Sequence, residues 1–461
     1  MTLGGIEYAA VLVFLFTLGS IFGSLLNVCI YRIPRHESLW VALKGLVYPP
    51  SRCPSCFREI LFRDNVPIFG WIKLRGRCRS CQARISPRYP LIELLTAVLF
   101  VLVYWVEVPV QATSGIAASG VWHVLGPQGN FVSSWFSPTA MLHWRYAYHM
   151  LLILALLVAT FIDIDLRIIP DAVTLPAMTA GLAGGLLLGN VHLVPIWYMI
   201  PGMSMQGMLW FQFRDAIPDD LFSWLNYFGV PGWIQTHPHL HGLAVSLAGI
   251  IVGGGLVWSV RIVGQWVLRR EAMGFGDVIL LAMIGSFLGW QATLVVFFFA
   301  PLCALVVAVF VWLFWREREI PYGPYLSLAT LCLIVFWKPI WPVMEARVFS
   351  LGTWLPIVGV AMMVCLAGLL KLTRVVQRLF GYDPDADAFP SGEWGPGDQL
   401  TYIAGEASEL GQGQWRDDGW AGRWSSRGQL HDQQWRRGGG LTPPNGWQGQ
   451  WQRRTGGGSM R

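Results

Sequence analysis

A chain of 461 residues is long enough for about three average soluble domains, but 54% hydrophobic and only 13% charged residues exclude that arrangement. Soluble chains carry nearer a quarter charged residues, so this is an integral membrane protein and neither a soluble enzyme nor a disordered regulator. The net charge of +6 is unevenly spread: residues 32–90 hold 12 Lys/Arg against Glu37, Glu59 and Asp64.

Apolar runs long enough to cross a bilayer, roughly 17 to 25 residues, predict nine transmembrane helices, at about 8–30, 91–107, 146–162, 172–190, 243–267, 277–289, 291–314, 325–344 and 353–371. The run 277–289 is short, and Gly289-Trp290 sets it against 291–314 as a tight helical hairpin. The first run lacks a basic leader and a small-residue cleavage site, so it reads as a retained span. The basic segment 32–90 is expected in the cytoplasm, which puts the N-terminus outside. Its charge could also suit nucleic acid, but between two spans it reads first as an orientation signal, and no nucleic-acid partner is expected. Alternation then puts 108–144 and 191–242 outside, where their Trp, His, Pro and Gly suit the membrane surface. Arg167, Arg269, Arg270, Arg316, Arg318 and Lys371 fall inside.

The expected fold class is an all-α polytopic membrane protein with a small metal-binding cytoplasmic loop. Its parts are a first helix over 1–31, a basic four-cysteine domain over 32–90, and a membrane core over 91–345 carrying the two outer insertions. An additional C-terminal helix over 346–380 precedes a tail. The tail, 381–461, is rich in Gly, Gln, Arg, Asp and Trp, has no helical or strand period, and reads as disordered. No internal repeat is evident.

The eight cysteines divide in two. Cys29, Cys303, Cys332 and Cys365 lie in apolar spans and read as small core residues. Cys53, Cys56, Cys78 and Cys81 form C-x2-C-x21-C-x2-C inside the basic loop. Two such pairs can close a tetrahedral shell, and Zn2+ is the expected ion, in a structural role because no position is left open for water. The intervening spacing is slightly longer than the usual zinc-ribbon window. Disulfides or a redox pair are the alternatives, and a reducing cytoplasm disfavours the former. Neighbouring Lys/Arg should favour thiolates.

Ionisable residues at membrane depth are functional candidates by default. Asp163 and Asp165 end the third span, and Asp277 opens the sixth. By the alternation above, Asp163 and Asp277 share the cytoplasmic side and can meet there. Asp277 also fits a plain carboxylate at a helix N-terminus, whereas Asp163 sits at a C-terminal end, where the helix dipole disfavours an anion. Asp165 is about 200° around the helix from Asp163, so the two cannot face one partner if the helix continues. Asp171, after Pro170, reads as an N-cap. Two carboxylates in a poorly solvated cleft share one proton. The ionised member can then activate water while the other polarises a scissile carbonyl. Gly274 and Gly276 would let a substrate backbone approach.

Five segments, in order, resemble the type IV prepilin peptidases: GSLLNVCIYRIPR (23–35), CPSCFREILFRDNVPIFGWIKLRGRCRSCQARISPRYPLIE (53–93), FIDIDLRIIPD (161–171), GFGDVILLAMIGSFLGW (274–290) and IPYGPYLSL (320–328). The resemblance implies an intramembrane aspartic endopeptidase of the Gly-x-Gly-Asp type. It implies Asp163 and Asp277 as the catalytic pair and the four loop cysteines as a zinc site. The implied substrates are type IV prepilins or type II secretion pseudopilins, cut after glycine at the cytoplasmic face of a bacterial inner membrane. The new N-terminus would then be methylated with S-adenosylmethionine. A basic leader and a basic loop repel, so binding is expected to come mainly from the apolar pilin helix among the spans and lipid. The sequence assigns no residues to the methyl donor, although Asn27 and Glu93 are polar candidates near the membrane. The alternatives are a peptidase without methyl transfer, a proton-coupled transporter using the paired aspartates, and a catalytically silent zinc scaffold.

Overall fold

The computed structural model describes residues 3–35, 43–46, 50–53, 56–108, 137–189, 191–194, 218–219, 232–268, 273–314 and 321–380. The expected tail and most of both outer insertions lie outside the described residues. Among these residues there is no β-sheet, only two isolated bridges. The main helices are α1 (Leu3–Arg32), α2 (Arg88–Glu107), α3 (Pro138–Leu166), α4 (Asp171–Leu188) and α5 (Pro238–Leu268). They continue with α6 (Phe275–Leu288), α7 (Trp290–Phe314), α8 (Gly323–Val335), α9 (Trp337–Arg347) and α10 (Leu355–Leu379).

Seven of these, α1 to α5 with α7 and α10, are long and apolar enough to cross a membrane. The other two expected spans differ. α6 has 14 residues, about 21 Å at 1.5 Å per residue, short of a ~30 Å hydrocarbon core. The stretch expected as one span over 325–344 is two helices, α8 and α9, meeting at 97°. The physical reason lies in the sequence there: Pro339 has no N–H to offer the Val335 carbonyl, so the helical ladder cannot run through Phe336. Trp337 instead turns inward and stacks on Trp341, with ring centroids 4.9 Å apart.

Ser137 caps the start of α3 by accepting the Ala140 N–H at 3.3 Å. The helix ends where Arg167 takes a left-handed conformation (φ 58°) and its amide closes on the Asp163 carbonyl. α3 therefore continues past the expected end at 162, and both Asp163 and Asp165 are helical. Asp171 is not an N-cap as expected. Pro170 holds that position and Asp171 is the first helical residue, exposed, with no side-chain cap bond, because proline's fixed φ already supplies the turn into the helix.

α6 is apolar on every side, which requires burial on every side. Leu281, Met283, Ile284, Phe287 and Leu288 are fully enclosed, mainly by α4 and α5. At its centre Gly285 meets Gly249 of α5 backbone to backbone, and a β-carbon on either would overlap the other's carbonyl. The Tyr148 hydroxyl donates to the carbonyls of Gly181 (2.8 Å) and Ser286 (3.0 Å), pinning α3 to α4 and α6. α10 differs, since none of its residues is buried. It rests on α5, with the Lys371 ammonium 4.2 Å from the centre of the Trp266 ring and Arg374 bonded to the Val267 carbonyl.

Candidate active site and four-cysteine subdomain

Two short turns build the cysteine cluster, and they are copies of one another. In the first, the Cys53 carbonyl accepts from Phe57 (2.9 Å) and the Cys53 amide donates to Arg58 (3.0 Å). In the second, the Cys78 carbonyl accepts from Gln82 (3.0 Å) and the Cys78 amide donates to Ala83 (2.8 Å). Phe57 (φ 60°) and Gln82 (φ 59°) are both left-handed, and the bridges Arg52–Glu59 and Arg77–Arg84 flank the turns. This is an internal repeat with an offset of 25 residues, contrary to the expectation of none. Its sequence trace is the pair RCPSC and RCRSC.

The repeat brings all four Sγ atoms within 4.8 Å of one another, with Cys53–Cys81 at 3.7 Å and Cys56–Cys78 at 4.0 Å. A tetrahedral ion with ~2.3 Å metal–sulfur bonds requires sulfurs about 3.8 Å apart, so two pairs already have close to that spacing and the donor set fits a metal ion with a contraction of at most about 1 Å in the others. The Cys78 thiol is pulled down to about 7, first by the backbone amides of Cys81 and Ser80. The neighbouring Cys81 thiol goes the other way: the Ala83 amide lowers it, but burial and the three facing thiols push it up to about 12. The segment between the turns is tied back by Asp64, whose carboxylate accepts two bonds from Arg79 (2.6 and 2.5 Å).

The subdomain docks on the membrane helices through Glu93. This residue is buried, accepts the Ile68 amide at 2.6 Å and bonds Ser24 of α1. Asn27 donates to the Tyr89 carbonyl at 3.1 Å. Both residues considered for the methyl donor thus have structural partners in a junction of α1, α2 and the subdomain.

Asp163, in the last turn of α3, and Asp277, in the first turn of α6, are 5% and 9% exposed. They lie close enough for their charges to interact. Chain ends of opposite sense bring them together: α3 delivers Asp163 at its C-terminus and α6 begins beside it. Three residues that the sequence did not single out complete the surroundings. The Gly323 amide at the start of α8 lies against the Asp163 carboxylate, and a β-carbon at 323 would overlap Oδ2. That Oδ2 has no hydrogen-bond partner among the described residues. Tyr322 is close to Asp277. Ile169 packs between Gly276 and Gly323.

The two glycines of the Gly-x-Gly-Asp phrase differ. A β-carbon at Gly274 would be 3.8 Å from Asp277 Oδ2 and clash with nothing, so this side is open, whereas one at Gly276 would press on Ile169 Cβ at 3.1 Å. Gly276 is small for packing, and Gly274 faces open space beside the carboxylate. Asp165 points away from the pair to Arg88, and Asp171 is at the surface. Toward the N-terminal half of α3, 14 residues or about 21 Å from Asp163, lies a buried polar group outside the expected site. Glu107 is bonded to His149 (2.5 Å) beside Arg145 (3.9 Å).

A multi-pass helical membrane protein with two enclosed, interacting carboxylates and a four-thiol subdomain has the arrangement of a membrane-embedded aspartic peptidase. Comparison with known proteins agrees. Residues 17–107 match the Bacterial Peptidase A24 N-terminal domain and residues 150–309 match the Type IV leader peptidase family. The type 4 prepilin-like proteins leader peptide-processing enzyme of Escherichia coli O78:H11 is 32% identical over 343 residues, 71% of this chain and 95% of that protein. The prepilin leader peptidase/N-methyltransferase of Aeromonas salmonicida is 30% identical over 339 residues, covering 69% and 87%. Its counterpart in Pseudomonas aeruginosa is 29% identical over 332 residues, covering 68% and 86%. No solved structure matches the chain. The chain belongs to the type IV leader peptidase family.

Proposed function

We propose that this protein removes the leader of type IV prepilins or type II secretion pseudopilins by cutting after glycine, and methylates the new N-terminus. The observation that carries the peptidase reading is the meeting of Asp163 and Asp277, two buried carboxylates from different helices, with Asp163 Oδ2 unpartnered among the described residues and the side at Gly274 open. Carboxylates this close hold one proton between them. The ionised one takes a proton from water as the water attacks the scissile carbonyl, and the protonated one donates to the carbonyl oxygen. The leaving amine is then protonated by the carboxyl that took the water's proton. The Gly323 amide fixes the Asp163 carboxylate, and Ile169 closes the cleft from the side of α4.

The four thiols fit Zn2+, which when bound supplies a closed structural shell that folds the subdomain. Methyl transfer rests on the names of the relatives and takes S-adenosylmethionine as donor, with no residues assigned to it. In this reading the site and the cysteine subdomain face the cytoplasm of a bacterial inner membrane, an orientation that the charge asymmetry supports. No observation favours transport: both carboxylates sit at one end of their helices, and not at the midplane where transport sites lie.

The test is to co-express wild type, Asp163→Asn and Asp277→Asn with a prepilin-like substrate and to weigh its N-terminus. Wild type alone should remove the leader and add one methyl group. Normal cutting by either variant would sink the aspartate pair, and a cut product without methyl would leave a peptidase only.

A further inference from the structure

Arg88 is the first residue of α2, where the cysteine subdomain ends. Its Nη1 donates to Asp165 Oδ1 at 2.8 Å and its Nη2 to Oδ2 at 2.6 Å, a two-pronged ion pair. The same guanidinium lies 5.3 Å from the centre of the Phe161 ring. Residues 161 and 165 are one turn apart and share a face of α3. Asp163, between them, is about 200° away and points to the opposite face. Arg88 therefore grips the back of the turn whose front carries Asp163.

That turn needs holding. It is the last of α3, closed immediately afterwards by left-handed Arg167. Terminal turns fray most readily, and a carboxylate at this end opposes the helix dipole. A planar fork bonded to both oxygens of one carboxylate fixes direction as well as distance. The Asp165 side chain is 15% exposed, so the pair is partly shielded from water.

We propose that Arg88 is a positioning residue for leader cleavage. Through Asp165 and Phe161 it sets the rotation of the last turn of α3, and with it the Asp163 carboxylate against Asp277. The inference rests on the peptidase reading above.

The test uses the full chain in membranes with a prepilin-like substrate, measuring kcat, KM and bound zinc for wild type, Arg88→Ala, Arg88→Lys, Asp165→Asn and the double variant Arg88→Ala/Asp165→Asn. Misplacing a reacting group by about 1 Å costs about 100-fold. Arg88→Ala and Asp165→Asn should therefore each lower kcat about 10- to 100-fold, with KM within about twofold and zinc unchanged. The double variant should be no worse than the poorer single, because both remove one contact. Arg88→Lys keeps the charge without the fork and should recover only part of the loss. Wild-type kcat in both single variants, additive losses, a change in KM alone, or full recovery by lysine would each overturn the proposal. If Arg88→Ala does not fold, Arg88→Lys and Asp165→Asn carry the same comparison. Failure of the peptidase reading is distinguishable, since wild type itself would then leave the substrate uncut or Asp163→Asn would cut it normally.

Discussion

The backbone of Gly323 lies against the carboxylate of Asp163, in the space that a side chain at 323 would occupy. One helix start thus supplies both a wall and an amide to the carboxylate of another helix's last turn. Gly323→Ala should keep the fold and lower the cleavage rate by about 100-fold, since the carboxylate must move to admit the methyl group. Gly359 and Gly368, on α10, have nothing within 4 Å, and alanine at either should leave the rate unchanged. Measured kcat for the three variants checks the contrast.

The cysteine cluster should behave as one unit. Its thiols come in crossed pairs, Cys53 with Cys81 and Cys56 with Cys78, so a serine at any one position opens the shell. Each of the four Cys→Ser variants is expected to lower bound zinc as determined by elemental analysis. Zinc content unaffected by all four would remove the metal reading. Chelation of wild type should raise hydrogen exchange over residues 51–85 while leaving α5 and α6 protected.

Asp64 is a test of sign. Arg79, by hydrogen bond first and by charge second, holds the Asp64 carboxyl below the ordinary carboxylate range. A depressed pKa contributes stability that is complete above the unfolded value, about 4, and fades as pH falls through the folded value. Lowering pH from 7 to 5 should therefore leave this pair intact. Asp64→Asn should raise exchange over residues 61–85 at both pH values equally. A wild-type subdomain that loosens between pH 7 and 5, with the variant unchanged, would contradict the assignment.

Gly249 and Gly285 test the packing. The obstacle to a β-carbon at each is the other's backbone, which cannot give way as a flexible side chain can. Alanine at either should cost more than the ~1–3 kcal/mol typical of overpacking. At Gly255, also on α5, there is open space, and alanine should be close to neutral. Thermal denaturation of the detergent-extracted protein separates the cases.

The sequence revealed what chemistry imposes locally. A thiol pair at knuckle spacing, a carboxylate after a long apolar run and a proline-broken phrase each stand out in one dimension. Asp163, Asp277 and the four cysteines were legible for this reason, and so was the length of most spans. Relationships across the chain were not. Gly323, Tyr322 and Ile169 become neighbours of the aspartates only through the packing of α8 and α4 on α3 and α6. Arg88 sat in a run of basic residues whose collective charge hid its individual partner. The Glu107, Arg145 and His149 group escaped because Glu107 and Arg145 fall at the ends of apolar runs, where a polar residue looks like ordinary boundary. The bend at Phe336 was readable in Pro339, but hydropathy averages over it.

The glycine contact at the centre of α6 also bears on how a substrate helix enters. α6 is bolted through Gly285 to α5, and Gly181 of α4 lies against Ser286. A side-chain interface can loosen by rotamer changes, but a backbone-to-backbone contact has no slack. Asp277 therefore belongs to the anvil of the enzyme. Asp163 belongs to the last turn of α3, well beyond the Tyr148 pin, and that turn is held by the fork of one arginine behind and by a glycine amide on a helix that bends thirteen residues later. Any opening that admits a pilin helix has to occur on that second side.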